Sequence, residues 1–442
     1  MHHASNYFLL PYLLQAALNS CGLPPQLLAL VLARLDPAER LGRMATVCSA
    51  WRTAAVLATT SISTVWGPYQ DGSDQGQLTA LSSWLQAHAA AAAVDSLTVK
   101  GYTYADPPTL KLAVQQLASL RSLDLTRVTV KVSRDMSVHD VAAATDLPPE
   151  LCAITRLRLW DCSVGLSTLP AFTNLQHLAL RGSANPQETP SSSPEFSGLV
   201  HLTHLHLAGG YAQDAVLGSV GALTSLQELR VQGDLDSAEG LATLPVSLTK
   251  LILSGDGMPQ ARPIQLSIDS TPAIASLTAL QWLEVDCAAG FGAALLRDMS
   301  SLQHLAVRRT PLLAAAPAAG GGGDAAGAGL AALAELTQLQ HLELPQKPDQ
   351  LAAALTAGDV AALTASSQLT CLIIDQGLVD EDLYRHMFPN GRQLPALKEL
   401  RATKGLLSTE WATQAMVRCC PNLERLDVGT GARVWLVCAC SK

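Results

Sequence analysis

Charge is scarce in this chain, and basic charge scarcer than acidic. Asp, Glu, Lys and Arg make up 15% of 442 residues, against about a quarter in an ordinary globular protein. Lys and Arg number 29, Asp and Glu 37, for a formal net charge of −8. That balance excludes the dense basic face with which a general nucleic-acid binder displaces counterions, and no nucleic-acid partner is expected. Cysteine is sparse as well. Ten residues, mostly inside apolar runs, exclude a disulfide-stapled scaffold and read as small buried hydrophobes in a reducing compartment. No Asn-x-Ser/Thr acceptor occurs. Gly (31) and Pro (24) stand near ordinary usage, which excludes collagen-like or linker-dominated chains. No run reaches the ~18 to 20 apolar residues of a membrane span, so no membrane partner is expected. The first 33 residues carry no charge, and Tyr7–Leu18 is apolar enough for a signal core, but the first basic residue is Arg34. A secretory signal needs its basic residues ahead of the apolar run. Residues 1–22 are therefore expected to be an uncharged apolar leader, and the protein to be cytoplasmic and/or nuclear.

What the chain has in plenty is apolar residues, 48% of the total, and they recur in one pattern. Leu-x-x-Leu-x-Leu, with conservative replacements, begins at Val94, Leu120, Ile154, Leu175, Leu202, Leu226, Leu248, Leu280, Leu302, Leu339, Leu369, Leu397 and Leu423, thirteen times at a mean spacing of about 27 residues. The Leu-x-Leu half has the period of a strand. Apolar residues upstream, such as Leu217, Val220 and Leu223 before Leu226, suit a helical or irregular return leg. One such unit cannot bury its own apolar face, so stacked units must share a continuous core. The pattern resembles the leucine-rich repeat. The resemblance implies an α/β solenoid, a horseshoe with a parallel sheet on its concave face, over residues 94–442. That family often places Asn or Cys three residues after the third leucine. Here the site holds Cys162, Ser183, Gly210, Asp234, Asp256, Thr310 or Gly431 and never Asn, so an irregular array is expected. Only Leu157–Cys162 and Cys419–Val428 are similar to the cysteine-containing subclass.

Three insertions break the period: residues 131–150, the Pro/Ser-rich Ser183–Glu195, and Leu312–Gly329, an Ala/Gly segment of low complexity that specifies no packed structure. Gly327-Ala-Gly329 within the last matches a loose dinucleotide fingerprint, but no strand precedes it and no βαβ unit surrounds it.

Ahead of the repeats, residues 23–57 break into two short amphipathic segments. Leu27/Val31/Leu35 and Leu28/Leu32 form one apolar face. Asp36-Pro37-Ala38-Glu39 is a start signal for the second helix, which carries Leu41, Met44, Val47, Cys48 and Trp51. Leu23-Pro24, Leu27-Leu28, Val31-Leu32, Leu35, Leu41, Val47-Cys48 and Trp51-Arg52 resemble the F-box in order and spacing, with Gln26 where that family has an acidic residue. The resemblance to F-box/leucine-rich-repeat proteins implies a small all-helical module at 23–66 that docks on the Skp adaptor of a cullin–RING ubiquitin ligase, followed by a linker and helix at 67–93. The residues alone also allow a helical cap that shields the first repeat from solvent.

Signatures of enzyme chemistry are absent: no phosphate loop, no His-Glu-x-x-His, no Gly-x-Ser-x-Gly and no Cys-x-x-Cys. No cofactor or metal is expected, and Cys419-Cys420 with Cys438-x-Cys440 fits no usual zinc spacing. The expected role is a non-catalytic receptor, with the alternative of a repeat scaffold in another intracellular assembly. The informative residues are those facing opposite to the leucines. They give a stripe of Arg156, Arg158, Trp160, His177, Arg181, His204, His206, Arg230 and Lys250, followed by Trp282. The stripe is expected to capture a protein that is acidic or phosphorylated, the imidazoles adding charge below roughly pH 6.5. Polar residues demanded by any exposed sheet position would produce the same composition.

Overall fold

A computed structural model of the chain describes residues 29, 32, 54–57, 59–65, 81, 83–88, 94–105, 117, 119–130, 147, 151–162, 166, 168–182, 196–233, 239–255, 264–265, 270–286, 288–289, 296–308, 331–344, 357–374, 386–388, 393–402, 416, 418–427 and 433–435. The chain divides into two compact units, Met1–Leu175 and Gln176–Lys442.

In the first unit, β1 (Ser61–Val65), β2 (Ser96–Ala105), β3 (Ser122–Val130) and β4 (Arg156–Trp160) pair in parallel and in chain order. The leucines of successive repeats stand in register: Ile62, Leu97, Leu123 and Leu157 form one row. Strand β1 belongs to no recognisable sequence repeat because Thr59 and Thr64 occupy two of its three leucine positions. Thr59 is nonetheless buried, and its hydroxyl donates to the Ala55 carbonyl at 2.7 Å. That bond ends the helical turn at residues 54–57, where Ala54 and Ala55 are wholly buried. Residues 83–88 are helical too, with Leu85 buried.

The second unit carries β5 (His177–Gly182), β6 (His204–Gly209), β7 (Glu228–Gln232), β8 (Lys250–Ser254), β9 (Ile264–Gln265), β10 (Trp282–Asp286), β11 (Ala288–Ala289), β12 (His304–Arg308), β13 (His341–Leu344), β14 (Cys371–Ile374), β15 (Glu399–Ala402), β16 (Arg425–Asp427) and β17 (Arg433–Trp435). Strands β5 to β8, β10 and β12 to β16 form one parallel sheet, which β17 closes antiparallel to β16. Strands β9 and β11 pair separately. All thirteen sequence repeats therefore yield strands, and the fold is a leucine-rich-repeat solenoid. The long connection between β12 and β13 leaves their pairing direct, His304 opposite His341.

Where the return leg is described, it is shorter than a full helix. Among the described residues, short helices α1 (Asp214–Gly218), α2 (Ser270–Ala275) and α3 (Ala357–Ala362) occur with 3₁₀ turns at Leu169–Ala171, Val220–Ala222, Glu239–Thr243 and Ala331–Glu335. From the second sequence repeat on, the residue opening each repeat donates its N–H three residues back, as Leu175 does to Phe172 and Leu226 to Leu223. Burial follows that three-residue period: Leu169, Phe172, Leu175, Leu178 and Leu180, then Phe196, Leu199, Leu202, Leu205 and Leu207. A 3₁₀ turn has three residues per turn, so each third side chain faces the core until the strand takes over with period two.

Adjacent repeats are stitched at the bend. Thr203 and His204 both donate their backbone N–H to the Gln176 carbonyl at 2.9 and 3.0 Å, and Thr249 and Lys250 do the same to Gln227. Hydroxyl and amide side chains add a second set. Ser119 reaches Val94, Asn174 reaches Cys152, Ser225 reaches Val200 and Asn422 reaches Pro395, all at 2.7 to 3.0 Å. The Cys162 thiol joins them, 3.3 Å from the Leu125 carbonyl and 3.2 Å from the Trp160 carbonyl. Cys419 and Cys420 are buried, but Cys152 is exposed and Cys162 and Cys371 are half-buried, so burial holds for only some of the thiols. Gly209, at φ +58°, ends β6 against Gly182, whose carbonyl would lie 2.3 Å from any added Cβ.

Candidate recognition surface

Because strand side chains alternate, the residues between the buried leucines share the other, open face of each sheet. Parallel register stacks them into rows with neighbours ~4.8 Å apart. In the first unit the rows are Ser61–Ser96–Ser122–Arg156, Ser63–Thr98–Asp124–Arg158 and Val65–Lys100–Thr126–Trp160. Asp124 is shared by Lys100 at 3.9 Å, Arg158 at 3.7 Å and the Thr126 hydroxyl at 3.1 Å. The Arg158 guanidinium lies over the Trp160 ring at 3.6 Å, so this expected pair is in contact, although Trp160 is half-buried. Arg156 is exposed and has no ion-pair partner among the described residues.

In the second unit the first row reads His177, His204, Glu228, Lys250, Trp282, His304, His341, Cys371, Glu399 and Arg425. It is knit together by ring stacking and ion pairs. His177 and His204 stack at 4.2 Å, and Glu228 lies between His204 at 3.8 Å and Lys250 at 3.1 Å. The Lys250 ammonium caps the Trp282 ring at 5.2 Å, Trp282 stacks on His304 at 3.5 Å, and His304 stacks on His341 at 4.1 Å. The second row holds His206, half-buried, and Arg230, exposed and without an ion-pair partner among the described residues. Arg181 in the third row is exposed to solvent.

From β10 to β13 this face is sealed by its own side chains. Trp282 donates its indole N–H to Glu284 at 2.8 Å, and Arg308 grips Glu343 with two bonds of 2.8 Å. Ala306 beneath is wholly buried, and Ile252 on β8 is 8% exposed. With Lys250 on one face and His304 on the other, only the edge of Trp282 is left for a partner. Burial, helped by His341, Arg308 and Lys250, pushes His304 down to about 3. Burial also lowers His341, partly offset by Glu343, Glu399 and Glu284. His304, which lies outside the expected stripe, therefore stays neutral well below pH 6.5, because a ring stacked on both sides loses the water that would solvate its cation.

Sequence reading missed the apolar residues of the open face, Ile252, Cys371 and Ile373, since the leucine pattern assigns that face to polar side chains. Among the described residues no group of three or more His, Cys, Asp or Glu side chains is arranged to hold a metal ion. Nor is any described helix long and apolar enough to cross a membrane. Of the expected adaptor-binding residues, Leu32 is wholly buried. The others, Leu23, Pro24, Leu27, Leu28, Val31, Leu35, Leu41, Val47, Cys48 and Trp51, lie outside the described residues.

No protein-family model and no curated protein matches the sequence. Among solved structures the chain is similar to an internalin from Listeria monocytogenes, at 15% identity over 91% of this chain and 97% of that one, with a TM-score of 0.46. It is also similar to a leucine-rich-repeat protein of Leptospira interrogans, at 14% identity over 90% and 98% of the two chains, with a TM-score of 0.47. TLR13 in its complex with ssRNA13 matches at 14% identity over 84% of this chain and 54% of that one, with a TM-score of 0.47. Likeness at this level assigns no function to the chain.

Proposed function

We propose that the chain is the substrate-recognition subunit of an SCF-type cullin–RING ubiquitin ligase. Residues 23–57 would bind the Skp adaptor, and through it a cullin, while the open face of the repeats holds a protein substrate. What carries the reading is an order of residues: Leu23-Pro24, the paired leucines, Val47-Cys48 and Trp51-Arg52 stand ahead of a repeat sheet whose open face is mostly polar. In this reading the chain contributes no catalytic group. It raises the effective concentration of a target lysine near the charged conjugating enzyme, which is acceleration by proximity. Arg156 and Arg230, both exposed and without an ion-pair partner among the described residues, are the guanidinium forks that an acidic or phosphorylated substrate would engage.

One observation favours a second reading, a repeat scaffold with a helical cap. Ala54, Ala55 and Leu32 are wholly buried, and the helical turn at 54–57 leads straight into β1. Adaptor binding separates the two. Truncating Leu28 alone removes about 1.5 to 3 kcal/mol of burial. Leu28→Ala combined with Trp51→Ala should therefore abolish co-precipitation of the adaptor while the circular dichroism of the repeats is retained. Undiminished co-precipitation would leave the scaffold as the reading.

A further inference from the structure

Strand β14 presents Cys371 and Ile373, both half-buried, on a face where neighbouring strands present charged or imidazole side chains. Their inward mates Leu372 and Ile374 are fully buried in the core, so Cys371 and Ile373 are surplus to it. On the β13 side stand His341 and Glu343, and on the β15 side Glu399 and Arg401. The charges on both flanks are engaged away from β14. Glu343 gives both carboxylate oxygens to Arg308 of β12 at 2.8 Å. Glu399 is bonded by Arg425 of β16 at 3.2 Å, and Arg401 is tied back along its own strand to Glu399 at 2.5 Å. His341 is occupied by its stack on His304. The result is a notch with an apolar floor and ion-paired walls. The walls rise from strands two spacings apart, roughly 9.6 Å, room for one side chain of an extended segment.

We propose that this notch receives a single aliphatic or methionine side chain from an extended stretch of a protein partner. The inference rests on the reading that the open face of the repeats captures a protein, and it names what that partner must present. A charged side chain would gain little here, because every flanking carboxylate and guanidinium already has a counter-ion and the entrant would lose its water. An apolar side chain displaces water from Ile373 and the sulfur of Cys371, while the paired charges rim the contact and exclude solvent. A buried apolar centre inside a polar ring is the usual anatomy of an interface hot spot. The Cys371 thiol suits that floor, since burial, with Glu399 the largest charge acting on it, pushes it up to about 12 and keeps it neutral.

The test is a phage-displayed library of random dodecapeptides panned on the full chain. The selected peptides are then measured free in solution by fluorescence anisotropy. They should share one aliphatic or methionine position whose change to Asp or Ser weakens binding about tenfold or more. Ile373→Thr, which keeps a β-branched side chain in the strand, should weaken the same peptides about tenfold with an unchanged thermal transition, and Ile373→Val should restore most of the affinity. If Ile373→Thr lowers the thermal transition, Cys371→Ser supplies the second reading of the same loss. Selected peptides that carry no apolar consensus, that bind Ile373→Thr as they bind the wild type, or that fail to emerge at all would overturn the notch. Acidic peptides lost on Arg156→Gln or Arg230→Gln but indifferent to Ile373→Thr would sink this inference while supporting capture by the open face. Adaptor binding is measured without any of these peptides and stands or falls separately.

Discussion

His304 shows how far a residue's surroundings can move its chemistry. Its ring is pressed between Trp282 and His341, is 9% exposed, and titrates near 3 where a free imidazole titrates at 6.5. The folded chain thus holds this ring neutral while the unfolded chain protonates it. Between pH 6.5 and 3 the unfolded state binds the extra proton, so stability falls as pH drops through that window and levels off below it. His341, also lowered, adds in the same direction. Urea midpoints followed from pH 7 to 4 should therefore fall less steeply in His304→Phe than in the wild type. Parallel slopes in the two proteins would remove His304 as the source. Ser366 is a second case. It stands at a repeat position held mostly by Leu, Phe or Met, and its buried hydroxyl lies 3.0 Å from the Thr337 carbonyl and 2.8 Å from the Leu339 carbonyl. Ser366→Ala leaves those acceptors short of a donor in a dry site. A loss of about 1 to 3 kcal/mol is expected in chemical denaturation.

At the scale of elements, the repeating piece is a 3₁₀ turn followed by a short strand, and its two periods explain why the leucine pattern was so legible. Three-residue spacing through Leu169, Phe172 and Leu175 passes into two-residue spacing at Leu178 and Leu180. Strand β1 follows the same geometry without the same letters, because Thr59 buries its hydroxyl by bonding back to Ala55. The connection between β12 and β13 makes the complementary point. It carries the Ala/Gly insertion, yet His304 stacks on His341 and Arg308 grips Glu343 across the two strands. Deleting residues 314–329 should leave the thermal transition within about 2 °C of the wild type, because loop length enters closure entropy only logarithmically. A larger fall, read by calorimetry, would mean that the insertion carries packing of its own.

For the molecule as a whole, the open face is not one uniform recognition strip. The first unit offers Arg156 beside the Arg158–Trp160 stack, and the second offers Arg230 and Arg181 over β5 to β7. Strands β10, β12 and β13 are closed by their own side chains, and β14 opens an apolar notch. A partner would therefore meet chemically different stations along the sheet of the second unit. Specificity of that kind comes from the spacing of contacts rather than from net charge, which for the whole chain is −8.

The sequence by itself determined the architecture, because a solenoid is a one-dimensional problem. Each leucine row buries against the next at a fixed interval, so periodicity along the chain is also adjacency in space. It also determined which side chains share the open face, since strand alternation leaves no choice. Only the tertiary structure decided which of those side chains remain available. Whether Trp282 is an anchor or a filling depends on Lys250 and His304 from neighbouring strands, 32 and 22 positions away in the chain. Whether Glu343 faces a partner or Arg308 depends on a strand across the Ala/Gly insertion. Repeat spacing tells which rows exist. Pairing within a row is set by side-chain reach and burial across strands, and these exist only once the strands are stacked.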